Sequence, residues 1–139
     1  MEKIVIDANV LFSLLKPASG ASYVFSLARA KFLSPDFAIS ELYVHKDAWL
    51  EKSGLSEHEF EMRCDEVKGK IRLFPLSAYS DLLKTSRDSL TDPDDAPYVA
   101  LARSLNASIW SNDTHLKVQS LARVFSTTEL IGKMLKGEF

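Results

Sequence analysis

An α/β fold on a largely parallel sheet is what this 139-residue sequence predicts, and three observations carry the prediction. Short β-branched runs alternate with helical segments along the whole chain. No repeat, linker or low-complexity stretch interrupts that alternation. A chain of this length also buries roughly 68% of its unfolded surface, enough to fold without a disulfide or metal staple. One domain spanning 1–139 is expected.

The elements follow in order. Lys3-Ile4-Val5-Ile6 reads as a buried strand ending at Asp7. Ala8–Leu15 reads as a short helix stopped by Pro17 and Gly20, and Ala21–Ala30 as a second, with Val24, Leu27 and Ala28 at helical spacing. Phe32-Leu33 is a brief strand before Pro35. Pro35-Asp36 opens a helix to about Lys52, closed by Gly54, with Ala38, Leu42, His45 and Trp49 as its apolar stripe. Ser56 followed by Glu59 has the form of a capping box, starting a helix to about Val67. Ile71-Arg72-Leu73-Phe74 is a strand ended by Pro75. Ser77–Ser89 reads as a helix with Leu82, Leu83 and Leu90 turned inward. The turn Thr91–Pro97 leads into a helix through Leu105; because proline is comfortable only in a first turn, that helix should start near Asp94. Ser108–Ser111 and Arg123–Ser126 are further strands, and a final helix runs through Lys136.

Composition narrows the class. The chain is 46% hydrophobic and 26% charged, which excludes intrinsic disorder. The single Cys64 cannot form an internal disulfide, so a reducing compartment is expected. Met1-Glu2-Lys3 opens straight onto a strand without a signal-peptide layout, and no apolar run approaches the ~20 residues of a membrane span. The expectation is a cytoplasmic protein with no membrane partner. Net charge is −2, which makes no case for nucleic-acid binding by charge alone. An acidic site loaded with metal supplies its own positive charge.

The acids hold the chemistry. Asp7 and Asp113 each follow an apolar strand, and ligands of open parallel sheets bind beyond the carboxyl ends of strands. Either one alone reads as a helix cap. Asp92, Asp94 and Asp95 precede one helix, and capping needs only one of them. Glu41 borders the stripe of its helix, and spacing alone makes it a solvated surface residue with His45 a packed boundary residue one turn on. Converging carboxylates are hard oxygen ligands suited to Mg²⁺ or Mn²⁺, and such ions support phosphodiester hydrolysis. Zinc does not fit one cysteine and three histidines without ligand spacing. Neither a phosphate-binding glycine loop nor a Gly-x-Ser-x-Gly elbow occurs.

Val5-Ile6-Asp7-Ala8-Asn9-Val10-Leu11, Ser40-Glu41-Leu42, Asp92 through Ala102 and Trp110-Ser111-Asn112-Asp113 resemble the PIN domain, in that order and over essentially the whole chain. The resemblance implies a three-layer α/β/α sandwich with a central, mainly parallel sheet, and a nuclease whose acids bind Mg²⁺ or Mn²⁺. Many such domains are endoribonuclease toxins paired with an antitoxin, while others process RNA. Carried over residue by residue, Asp7, Glu41, Asp95 and Asp113 fall on the acidic, metal-binding and catalytic positions. Asp95 is preferred to Asp94 because it immediately precedes the small residue opening the helix. Asn9 would orient the first carboxylate and Ser111 would line the pocket beside Asp92 and Asp94. His115 stands where the family often carries a further acid, which weakens a second metal position. The expected activity is therefore metal-dependent hydrolysis of RNA by a toxin held by an antitoxin. The alternatives are a standalone RNA-processing nuclease, or a weakly catalytic binding module. Lys16, Lys46 and Lys117 are the basic residues nearest these motifs in sequence. Apolar positions on Ala21–Ala30 and Ser56–Val67 suit either the core or a homodimer or partner peptide.

Overall fold

The computed structural model describes residues 1–139. Five strands, β1 (Glu2–Ile6), β2 (Ala30–Pro35), β3 (Ile71–Phe74), β4 (Ser108–Trp110) and β5 (Val124–Phe125), form one sheet in the order β3-β2-β1-β4-β5. Every pairing is parallel, with Ile4 opposite both Phe32 and Ser108, and Ile6 opposite Trp110. Eight helices flank it: α1 (Ala8–Ser13), α2 (Gly20–Leu27), α3 (Phe37–Val44), α4 (Lys46–Ser53), α5 (Glu57–Lys70), α6 (Leu83–Asp88), α7 (Ala96–Leu105) and α8 (Thr127–Leu135). The layers form the expected α/β/α sandwich. No helix is long and apolar enough to cross a membrane.

Residues on both faces of β1 are buried, as Ile4, Val5 and Ile6 are fully covered. Alternation sends Ile4, Ile6, Phe32 and Trp110 to one face. There Phe32 lies with its ring 5.0 Å from Phe25 of α2 and 5.8 Å from Trp110. Helix α7 packs across β1, β2 and β4, and its small residues Ala96, Ala100 and Ala102 let it approach closely enough to bury six of its ten residues. The Ser56–Glu59 capping box forms as its spacing predicts, and a second one, Ser126–Glu129, starts α8.

Four element assignments need correction. The helix expected over 35–52 breaks at His45 (φ −97°, ψ 16°) into α3 and α4. Ala38 and Leu42 of its stripe are buried, but His45 is exposed and Trp49 only partly covered, because past the break the chain returns toward Phe12 of α1 instead of running along the sheet. The helix expected over Ala21–Ala30 stops at Leu27, which is left exposed, and Ala30 already pairs in β2. That strand is correspondingly longer than Phe32-Leu33. The helix expected over Ser77–Ser89 is two 3-10 turns, Leu76–Ala78 and Ser80–Leu82, before α6. Tyr79 between those turns sits at φ −136° and is buried, so the chain gives up helical geometry to seat its ring.

Candidate active site

The sheet order reverses direction at β1: the chain moves outward to β2 and β3, then crosses to β4 on the other side. The crevice at such a reversal, beyond the strands' carboxyl ends, is where ligands of open α/β sheets bind. Asp7 leaves β1 there, and Asp113 follows β4 by three residues. A cleft of about 560 Å³ opens at this point, lined by Asp7, Asn9, Glu41, Asp94, Asp95 and Asp113 among its residues.

Asp7 both caps a helix and faces the cleft. Its Oδ1 accepts the Val10 amide at 2.8 Å, starting α1, and the Ser111 hydroxyl stands near the same carboxylate. Burial raises its pKa, and the charge of Asp113 adds to this; the Ser111 hydroxyl and the Val10 amide pull the other way without prevailing. Ser111 is fully buried behind the cleft rather than lining it, and its Oγ also accepts the Asp113 amide at 3.0 Å. One hydroxyl therefore holds the Asp113 backbone and stands beside Asp7. Ser111→Ala should raise the Mn²⁺ concentration needed for half of any metal-induced rise in Tm by roughly 10- to 100-fold, the range typical of groups that orient metal ligands. An unchanged requirement would show that the two acids hold position without it.

Asp113 folds into an Asx turn, accepting the His115 amide at 2.9 Å. A 3-10 turn, Leu116–Val118, follows in place of the helix that a cap reading expects. His115 itself is exposed and does not line the cleft. The loop is fastened from the other side by α8, whose Thr127 hydroxyl accepts from Trp110 at 2.9 Å and from Asn112 at 3.0 Å. The Thr127 amide donates back to Asn112 at 2.8 Å.

Of the three acids before α7, only Asp92 caps, its Oδ1 accepting the Asp94 amide at 3.0 Å. Asp92 lies outside the cleft lining, whereas Asp94 and Asp95 reach it with no hydrogen bond to either carboxylate. Burial pushes the Asp95 carboxyl up to about 6, with repulsion from Asp92, Asp113, Asp7 and Asp94 adding to it. Glu41 faces the cleft from α3, 3.4 Å from the His45 imidazole. Its side chain stays about half exposed, as spacing alone expects, and lines the cleft as well. Tyr98, which sequence reasoning missed, also lines the cleft; burial and the charges of Asp7, Glu41 and Asp95 raise its pKa, so the phenol stays neutral.

The expected lysines are elsewhere. Lys46 pairs with Glu57 at 2.7 Å and Glu61 at 3.3 Å, Lys117 pairs with Glu129, and Lys16 lies off the cleft. The cleft's own cation is Arg87 at the end of α6. Its signal was its place five residues before Asp92, at the close of a helix.

Asp7, Asp95 and Asp113 have no salt-bridge partner in the chain, and every donor facing the cleft from them is a hard oxygen. That chemistry fits Mg²⁺ or Mn²⁺. No three of the acids stand at the spacing to grip one ion together, so binding would have to draw them inward.

A parallel α/β/α sheet carries a cleft lined by carboxylates at its switch point. The PIN domain family model matches residues 5–136, and the chain belongs to that family, whose members are nucleases generally dependent on divalent metal. A crystal structure of VapBC2 from Rickettsia felis, bound to a DNA fragment from their promoter, is similar in fold. The TM-score is 0.65 at 12% identity, covering 89% of this chain and 98% of that one. No curated protein matches the chain in sequence.

Proposed function

We propose that residues 1–139 act as one PIN-like endoribonuclease domain that hydrolyses RNA phosphodiester bonds with Mg²⁺ or Mn²⁺. The observation that carries this reading is the cleft itself: Asp7, Glu41, Asp95 and Asp113 face one space and no basic side chain pairs with Asp7, Asp95 or Asp113. Asp7, Asp95 and Asp113 would hold the ion, with Ser111 standing beside the first and holding the backbone of the third. The ion would supply positive charge for the phosphate and lower the pKa of water. Glu41, reaching the cleft from α3, accepts a proton from the attacking water or steers it, and Asn9 and Asp94 complete the polar lining. Arg87 offers the phosphate a positive charge.

The likeness in fold to the VapBC2 structure supports a toxin held by an antitoxin in the cytoplasm. Exposed Tyr23, Leu27 and Met62, on α2, at its end and on α5, offer apolar surface to such a partner or to a second copy. The absence of three acids at ion-gripping spacing favours one second reading, a weakly catalytic module acting through bound RNA or protein. Incubating the purified chain with single-stranded RNA separates the two. Cleavage that appears with Mn²⁺ or Mg²⁺ and stops on chelation is expected; RNA binding without metal-dependent cleavage would establish the module.

A further inference from the structure

Beside the acid cleft lies a second cavity of about 690 Å³, lined by Phe12, His45, Trp49 and Lys52 among others. Asn9, Phe12 and His45 line both spaces, so the two adjoin. The rings do not stack on one another: Phe12 lies 5.3 Å from Trp49 at 50°, and 6.0 Å from His45 at 66°.

The two tryptophans differ in kind. Trp110 is fully buried and its N–H is satisfied by Thr127. Trp49 is partly exposed, yet its Nε1 is shielded from water and has no acceptor. A shielded donor without a partner is a stability loss that a purely structural ring normally avoids. Lys52 has no carboxylate partner in the chain, although Glu51 also lines the cavity.

We propose that this cavity receives one unpaired base of the RNA whose phosphodiester occupies the acid cleft, an inference that rests on the nuclease reading. A strand lying in the cleft passes Asn9, Phe12 and His45 on its way into the cavity, and Lys52 meets its backbone at the rim. Every base presents a π face, so aromatic side chains bind bases with little sequence preference. A base paired within a duplex cannot enter, which makes the substrate single-stranded or looped RNA.

The test uses the full chain in Ca²⁺ buffer, which neutralises the acids, with oligomer integrity checked afterwards. Fluorescence anisotropy follows a labelled short oligoribonucleotide and a series in which one abasic nucleotide is walked along it. Trp49→Ala should weaken binding about ten-fold, and Trp49→Phe should retain most affinity. One abasic position should weaken binding to the parent by a similar factor and cost nothing further in Trp49→Ala, the coupling expected of groups in contact. Circular dichroism establishes that the variants fold, and Trp49→Leu, which keeps apolar bulk but removes the flat π face, carries the comparison if Trp49→Ala does not fold. Unchanged affinity, losses that simply multiply, or no binding by the parent overturns the proposal. Loss with Trp49→Ala that is blind to abasic position assigns the cavity to something other than a base, such as a partner's side chain, and also overturns it. Cleavage in Mn²⁺ is scored separately. A parent that cleaves but shows no coupling loses the base subsite alone, and one that shows coupling but never cleaves loses the nuclease reading.

Discussion

Asp7→Asn is expected to lower metal-dependent RNA cleavage at least about 100-fold, beyond what loss of a ligand's mere supporting partner costs, while leaving the fold intact. The separation of the two effects comes from the double duty of this residue. Asparagine retains an oxygen to accept the Val10 amide, and asparagine caps helices as well as aspartate does. What the substitution removes is the charge that would bind the ion. Since burial already works against that charge, the variant should melt no lower than the parent in chelator. Cleavage rate and thermal melts, measured on the same preparations, check both halves. A variant that cuts at the parent's rate would take Asp7 out of the site.

Asp95→Asn should stabilise the protein without metal by about 1 kcal/mol, after discounting for solvent screening at a partly exposed carboxylate, or roughly 3–5 °C in Tm for a chain of this size. The sign follows from a folded pKa of about 6 against an ordinary 3.8. Between those values the folded protein keeps a proton that the unfolded chain has released, so the cost is full above pH 6 and disappears below 3.8. The parent's metal-free stability should therefore rise as pH falls through this window, and the variant's should rise less. Opposing losses begin lower: Glu59, held below its ordinary 4.5 by the Ser56 amide, gives up its contribution only under that pH. Adding Mn²⁺ should raise the parent's Tm with concentration and the variant's far less, because the ion favours the folded site. Equal pH profiles in chelator would mean that Asp95 is not under the pressure its surroundings impose.

The sheet and most of the acids were legible because simple physics limits their alternatives. Apolar β-branched runs ending in Asp7, and nearly so in Asp113, mark strand ends, and three acids before α7 exceed what one cap requires. The structure agrees with that accounting, since Asp92 caps and Asp94 and Asp95 do not. Glu41 was reachable only through the family resemblance, because helical spacing describes a side chain's angle around its own axis and not what stands opposite. The same limit hid Arg87 and Tyr98, which meet the acids only after α6 and α7 pack. The break at His45 was unreadable for a related reason. Nothing local forbids a continuous helix there; what ends it is where the chain must go next.

Thr127 ties α8 to Asn112 of the loop that carries Asp113 by two hydrogen bonds, and to Trp110 at the end of β4 by a third. A ribosome makes the chain from its amino end, so Asp7, Glu41 and Asp95 emerge well before the residue that fastens their partner. Until Thr127 has cleared the exit tunnel, the Asp113 loop lacks its anchor and the carboxylate set is not yet held together. The order of synthesis therefore makes the anchor of the Asp113 loop the last part of this cleft to be put in place.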